Sequence, residues 1–189
     1  MAKEISLAAE GECSTVGQQE RMWQTVWKLN CPRVVHLFLR KACNNILPTK
    51  ANLARRGVTS DDKCPICKLE KETVGHNLWS FQAAKDVWLE CPMRIQKSPC
   101  EEDDFSSIFK RLAERLTVEE LRLMAFVARH IWFRCNGVVF KEEFQSPQEI
   151  IQAAHNQMNQ YDQATTNKNK DDSIEATMGK SGKGWCSKN

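Results

Sequence analysis

The 189-residue sequence has few of the features that mark secreted or membrane proteins. It contains no run of about 18 apolar residues, which is the length that a transmembrane helix requires. Residues 1–17 include no continuous apolar segment of the kind found in a secretory signal. We therefore expect an intracellular protein, nuclear or cytoplasmic, whose nine cysteines are kept reduced. Under reducing conditions, clustered cysteine and histidine residues indicate a metal site before they indicate disulfides.

The motifs of several common enzyme classes are also missing. No glycine-rich phosphate loop and no Gly-x-Ser-x-Gly motif is present. Polymerases and ribonucleases H that use two metal ions need clustered carboxylates on a rigid framework. The paired aspartates are predicted to lie in turns or loops, and none belongs to a Tyr-x-Asp-Asp motif; they are Asp61-Asp62, Asp103-Asp104 and Asp171-Asp172. We therefore predict that the chain is not an enzyme and has no catalytic residues.

Acidic residues are absent from a long N-terminal stretch, between Arg21 and Ser60, although the net charge of the whole chain is only +3. An uneven distribution of this kind predicts a basic surface, which attracts phosphate groups. The alternative is that the basic side chains simply solvate the outer faces of helices. The candidate nucleic-acid contacts in this stretch are Arg33, Arg40, Lys41, Lys50, Arg55 and Arg56.

Helix-breaking and capping residues divide the N-terminal half into helices. Cys31-Pro32 separates two of them, because proline disfavours helix at the residue before it. Thr49 is predicted to cap a short helix that Gly57 ends, and another helix is predicted over about residues 76–90. Four tryptophans recur at helix-core spacing and are predicted to be buried, whereas a base-stacking platform would need them exposed beside basic residues. They are Trp23, Trp27, Trp88 and Trp132.

The C-terminal half is also predicted to be helical. Thr117-x-x-Glu120 is a capping box that begins a long helix, predicted to end near Gly137. A further helix is predicted from Pro147 to about Tyr161. The fold class is therefore mostly α: a small helical domain with an irregular zinc-knuckle turn and a disordered tail. The predicted divisions are a flexible arm over 1–17, a metal-binding domain over 18–90, a linker over 91–104, a helical spacer over 105–161 and the tail over 162–189.

One group of residues has the spacing of a metal site. Cys64-Pro-Ile-Cys67 is a Cys-x2-Cys pair, and His76 follows after eight residues. Two thiolates on a tight turn and one imidazole can bind the same tetrahedral zinc ion. The usual fourth position, four residues beyond the histidine, is Phe81, which has no lone pair to donate. Cys91 is a possible fourth ligand if the chain folds back; otherwise three protein ligands remain, with a water molecule. The alternative is two buried cysteines and an ordinary capping histidine.

An ordered series of motifs over about residues 20–90 resembles the zinc-binding domain of plant non-LTR (LINE-type) retrotransposon reverse transcriptases. The residues that carry this resemblance are Trp27-Lys28-Leu29, Pro32, Phe38-Leu39, Leu47-Pro48-Thr49, residues 52–57 (Asn-Leu-Ala-Arg-Arg-Gly), Cys64-Pro65-Ile66-Cys67, Glu72-Thr73, His76 and Val87-Trp88. The resemblance implies that the Cys-Cys-His-Cys ligand set of the family corresponds to residues 64, 67, 76 and 81.

The remaining sequence resembles the helical spacer that precedes the RNase H domain in such elements. The similarity covers the segment from Leu121 to Phe140, and Gly184-Trp185 looks like the approach to the first RNase H strand. The chain ends before the catalytic carboxylates of that domain would appear, so we expect a fragment of such an element. The phenylalanine in place of the last ligand leads us to expect that this fragment is partly decayed.

These observations predict a non-catalytic module that binds Zn²⁺ weakly, because Phe81 replaces a ligand, and that binds RNA or DNA without sequence specificity. The alternative is a structural or protein-interaction helical module with no nucleic-acid role. Its partners would be the polymerase or RNase H domains that this chain lacks. A zinc enzyme with an open coordination position is a third reading, and no general base or substrate motif supports it.

Overall fold

The computed structural model describes Gly17 and residues 20–96, 104–139 and 144–181. Within these residues the protein is helical, with one isolated β-bridge and no strand, which confirms the mostly α fold class. None of the described helices combines the length and apolar character needed to span a bilayer. Residues 1–16 of the predicted arm, Phe140 and the Gly184-Trp185 pair lie outside the described residues.

The helices follow one another with short connections. Helix α1 covers residues 20–28 in the described part of the chain. The remaining elements are α2 (Arg33–Cys43), α3 (Lys50–Arg55), a π-helical turn (His76–Ser80), α4 (Gln82–Glu90), α5 (Met93–Gln96), α6 (Phe105–Arg115), α7 (Val118–Val139) and α8 (Pro147–Ser181). Helix α5 lies inside the segment that the sequence predicts as a linker over 91–104, of which residues 97–103 are not described.

The predicted ends of α3 are confirmed. The Thr49 hydroxyl accepts a hydrogen bond from the backbone N–H of Asn52, at 3.3 Å. It thereby satisfies one of the N–H groups of the first turn, which have no acceptor within the helix. Gly57 follows the helix with a φ of +73°, a conformation that costs glycine little because it has no Cβ. The Asn52 amide also donates to the carbonyl oxygens of Asn45 and Leu47, which fixes the connection from α2.

Both C-terminal helices begin with reciprocal caps. The Thr117 backbone N–H donates to the Glu120 carboxylate at 2.8 Å, and the Glu120 N–H donates to the Thr117 hydroxyl at 3.3 Å. Ser146 and Glu149 form the same pair at the start of α8. These caps satisfy backbone donors that a helix start leaves free, and the box at Thr117 is the one that the sequence predicts.

The structure departs from three of the predicted helices. The helix expected over about residues 76–90 is interrupted at Phe81, whose φ and ψ of −61° and 138° are extended. Helix α7 continues through Gly137 to Val139, because Gly137 is buried and tertiary packing outweighs its low helix propensity. Helix α8 extends beyond Tyr161 to Ser181, so residues 162–181, including the Asp171-Asp172 pair expected in a loop, are helical.

The extension of α8 has local and tertiary support. The hydroxyls of Thr165 and Thr166 donate to carbonyl oxygens one turn earlier, at 2.9 and 2.8 Å. Asp162 accepts hydrogen bonds from Arg122 on α7, at 2.6 Å, and from Asn30 after α1, at 3.3 Å. The helix is therefore fastened to the rest of the molecule one residue past the predicted end.

A continuous apolar core joins the predicted metal-binding half to the predicted spacer, extending from Met22 to Ala154. Helix α7 lies at its centre and packs against α2, α6, α8 and the π-helical turn. The buried Arg134 of α7 donates to the carbonyl oxygens of Ala83 and Gln145, which ties α7 to α4 and to the start of α8. The domain boundaries remain a prediction, but α2 and the π-helical turn of the predicted metal-binding half pack directly on α7.

Three of the four tryptophans predicted as core residues are buried or half-buried. Trp88 is buried and donates its indole N–H to the carbonyl oxygen of Leu78 at 2.8 Å. Trp132 is also buried, and Trp23 is partly buried against the core. Trp27 is different: 52% of its surface is exposed, so its prediction as a core residue is wrong.

Candidate metal centre

A tight loop carries the two cysteines. Its ends are held together by an antiparallel bridge between Lys63 and Lys71, and the Cys64 N–H donates to the carbonyl oxygen of Glu70 at 2.8 Å. The Lys68 N–H donates back to the carbonyl oxygen of Cys64, also at 2.8 Å. Pro65 suits the first turn position because its φ is fixed, and Lys68 takes the left-handed conformation that closes the loop, with a φ of 59°.

The backbone of this loop directs N–H groups at both sulfur atoms. Burial raises the pKa of the Cys64 thiol, and hydrogen bonds from the N–H groups of Cys67 and Ile66 partly offset the rise. Burial also raises the pKa of Cys67, but the N–H groups of Glu70 and Leu69, with the Cys64 thiol, outweigh it and hold the pKa below its ordinary value. Donors placed in this way stabilise thiolates, which are the form of cysteine that binds metal.

His76 enters the site from the start of the π-helical turn. Its backbone N–H donates to the Thr73 hydroxyl at 3.0 Å, and its ring is buried. The Nδ1 atom lies 2.9 Å from a carboxylate oxygen of Glu70, and the Nε2 atom lies 3.6 Å from the sulfur of Cys67. A neutral ring that donates Nδ1–H to the carboxylate presents its Nε2 lone pair to the thiols. Carboxylates orient zinc-binding histidines in this way.

The three predicted ligands are brought together. The ligand atoms of Cys64, Cys67 and His76 all lie within 4.8 Å of one another. Tetrahedral zinc, with bonds of ~2.3 Å to sulfur and ~2.0 Å to nitrogen, separates a sulfur from a nitrogen by about 3.5 Å. The 3.6 Å between the Cys67 sulfur and His76 Nε2 agrees with this separation. Two thiols and one imidazole therefore fit a zinc ion.

Position 81, which the resemblance assigns to a fourth ligand, holds a phenylalanine. Phe81 is buried, and its ring centroid lies 5.5 Å from that of His76, so a phenyl ring packs beside the imidazole. Cys91 is not part of the group of converging ligand atoms among the described residues. Burial, with a smaller contribution from Glu90, raises the pKa of Cys91 to about 12. This environment favours a protonated thiol.

A third cysteine near the site was missed by the sequence analysis. Cys135 lies on α7, which packs against the π-helical turn that carries His76. Burial raises its pKa to about 12; Arg134 opposes the rise, and the charges of Cys64 and Glu72 add to it. Cys135 is therefore within electrostatic range of Cys64. No short spacing could have revealed it, because the two residues come from distant parts of the chain.

Glu72 connects the metal loop to its surroundings, a role that the sequence motif alone did not reveal. Its carboxylate accepts hydrogen bonds from the Lys50 backbone N–H at 2.7 Å and from the buried Asn77 amide at 3.0 Å. Its own backbone N–H donates to the carbonyl oxygen of Asp62 at 2.9 Å. The first turn of α3, the loop and the π-helical turn therefore meet at one buried carboxylate.

The predicted nucleic-acid contacts lie on α2 and α3, except Arg56, which directly follows α3. All are exposed except Lys50, which is half-buried, and none forms an ion pair with another described residue. The Arg55 guanidinium donates to the carbonyl oxygen of Asn45 at 3.3 Å. These basic groups are therefore available to phosphate; the residues are Arg33, Arg40, Lys41, Lys50, Arg55 and Arg56.

Comparison with known proteins agrees with the resemblance predicted from the sequence. Residues 10–88 match the family described as zinc-binding in reverse transcriptase, and all three converging ligands lie within this range. Over 145 residues the chain is 24% identical to an Arabidopsis thaliana protein whose name describes it as a candidate ribonuclease H protein. The alignment covers 71% of this chain and 23% of that relative, so the chain spans about a quarter of its length. No solved structure matches the chain significantly.

Proposed function

We propose that this chain is a non-catalytic module, derived from a retrotransposon reverse transcriptase, that binds zinc and contacts nucleic acid without reading its sequence. The observation that supports it most directly is the convergence of Cys64, Cys67 and His76 within the segment that matches the zinc-binding family. The basic helices α2 and α3 precede this loop in the chain, and the Lys50 N–H at the start of α3 donates to Glu72 at the end of the loop.

Zinc would act here as a structural cross-link. The loop between α3 and the π-helical turn has apolar side chains that stay in solvent, such as Leu69, which is 82% exposed. A loop of this kind gains little from burial, so metal binding would supply much of the free energy that orders it. Bound zinc would connect the Cys64–Cys67 turn to His76 and thereby to α7. It would supply no reaction chemistry in this role.

The replacement of the fourth ligand is expected to weaken the site. We propose two thiolates, one imidazole and a water molecule as the ligand set, because Phe81 fills the usual position and the thiol of Cys91 is outside the converging group. In this interpretation the chain is a partly decayed copy. A third thiolate from Cys91 or Cys135 would give a complete site instead, and the Phe81 variant described in the Discussion separates these possibilities.

Salt dependence tests the nucleic-acid role. Each phosphate that a cationic side chain neutralises adds ~0.7–0.9 to the slope of log affinity against log salt concentration. Removing two exposed charges, with Arg40→Gln and Lys41→Gln together, should reduce that slope by about 1.5. Affinity for a mixed-sequence oligonucleotide would be measured by fluorescence anisotropy over a range of salt concentrations.

A matched control removes the same charge elsewhere. Lys85 and Lys168 are exposed on α4 and α8, outside the acid-free stretch, and their double glutamine variant should retain the slope of the unaltered protein. An affinity that is the same at low and moderate salt would contradict the proposed role. It would favour the alternative, a protein-interaction module, for which the half-exposed Val34 of α2 offers an apolar contact.

A further inference from the structure

An exposed tryptophan lies at the end of α1, within the stretch of sequence that contains no acidic residue. Trp27 is 52% exposed, although large aromatic side chains usually contribute to the core. Its ring packs against the imidazole of His36, with 5.2 Å between the ring centroids and 47° between the planes. One side of the indole is therefore supported, while about half of its surface remains open to solvent.

The supporting histidine is held in place by the turn between α1 and α2. Its Nε2–H donates to the carbonyl oxygen of Leu29 at 3.1 Å. The same carbonyl accepts the backbone N–H of Cys31 at 2.9 Å, and the Leu29 N–H donates to Val26 at 3.3 Å. His36 is half-buried on the first turns of α2. The indole consequently rests on a ring whose orientation is set by the backbone.

Cationic side chains flank this aromatic pair. Arg33 and Arg40 lie three residues before and four residues after His36, which places all three on one face of α2. Lys28 is adjacent to Trp27 and is also exposed. None of these cations has an ion-pair partner among the described residues, and no acidic residue occurs between Arg21 and Ser60.

We propose that Trp27, supported by His36, stacks on an unpaired nucleic-acid base while Arg33 and Arg40 contact the neighbouring phosphates. The proposal rests on the nucleic-acid role proposed above and specifies its substrate as single-stranded. Proteins that bind single strands combine cationic grooves with aromatic side chains, because every base has a flat face that is accessible only outside a duplex. The charges on the flanks favour this occupant over an apolar protein surface.

The test compares binding of the full chain to a single-stranded oligonucleotide and to the duplex of the same sequence. Trp27→Ala should weaken single-strand binding about 5- to 150-fold, the range found when one stacking aromatic is removed, and should leave duplex binding nearly unchanged. Trp27→Phe retains an aromatic face and should recover most of the lost affinity. Leu37→Ala, which shortens an exposed apolar side chain on α2, is the control and should change the affinity for neither the single strand nor the duplex.

The outcomes separate this inference from the proposal on which it depends. If the unaltered protein binds both forms in a salt-dependent manner but Trp27→Ala binds single strands equally well, stacking is wrong and phosphate binding stands. Equal losses on single strands and duplex would also contradict stacking. If the unaltered protein binds neither form at low salt, the nucleic-acid role itself fails. Thermal unfolding followed by circular dichroism checks that both Trp27 variants keep the stability of the unaltered protein, as expected for an exposed side chain.

Discussion

The exposed carboxylate of Glu70 contacts the buried ring of His76, a candidate zinc ligand. The carboxylate lies 2.9 Å from Nδ1 of the histidine, and the opposite ring nitrogen faces the sulfur of Cys67. The spacing in the sequence predicts His76 as a ligand candidate, and its ring nitrogen lies within 4.8 Å of both cysteine sulfur atoms. The role of Glu70 could not be predicted in the same way, because the loop must close before the two residues meet.

Glu70→Gln should weaken zinc binding about 10-fold, because it replaces the carboxylate partner that orients the histidine and increases its basicity. Zinc affinity would be measured by competition with a chromophoric chelator. Glu90→Gln removes an equally charged, exposed side chain outside the loop and should bind zinc as the unaltered protein does. Equal affinity for the Glu70 and Glu90 variants would show that Glu70 does not position the imidazole.

Phe81 stands where the resemblance implies a fourth ligand, and it packs against His76. Phe81→Cys should therefore tighten zinc binding by at least 10-fold, since a third thiolate would replace water in the ligand set. Cobalt substitution provides the readout, because the intensity of the thiolate-to-cobalt absorption should increase with the added thiolate.

If Phe81→Cys and the unaltered protein bind metal equally tightly, the proposed ligand set of two thiolates, imidazole and water is wrong. Another side chain then completes the site. Cys91→Ser and Cys135→Ser would identify it, since only the variant that removes the fourth ligand should lose affinity and thiolate absorption.

The elements differ in how far local sequence determines them. Thr49 and the Thr117–Glu120 capping box begin helices where the sequence predicts, because side-chain caps act over three residues. The passage of α7 through the buried Gly137 is a tertiary effect. Helix α7 packs against several other elements, and this packing outweighs the weak helix preference of glycine.

Metal removal should affect one element more than the others. Chelation should increase amide hydrogen exchange over residues 58–75, where the loop has few buried apolar side chains, and should leave the centre of α7 protected. Exchange would be followed by mass spectrometry with and without a chelator. An equal increase in exchange in both segments upon chelation, or no change in either, would contradict a local cross-linking role for zinc.

At the scale of the whole molecule, one apolar core includes both the family-matched segment and the helices that follow it. The sequence predicts where these helices form but not how they pack. Packing depends on contacts such as the hydrogen bond from Arg122 to Asp162, which joins residues 40 positions apart in the chain. The same limitation applies to Cys135, which approaches the metal loop only through the packing of α7. Short-range motifs therefore predict the three candidate ligands, and the fold supplies their surroundings.

Zinc stoichiometry of the purified chain tests most directly whether Cys64, Cys67 and His76 form a metal centre. Elemental analysis after dialysis against a weak chelator should give one zinc ion per chain for the unaltered protein and for His155→Gln, an exposed control on α8. Cys67→Ser and His76→Gln should each lose the ion. The proposed centre would be contradicted if either ligand variant retained one zinc ion per chain. It would also be contradicted if the unaltered protein held no zinc after zinc loading.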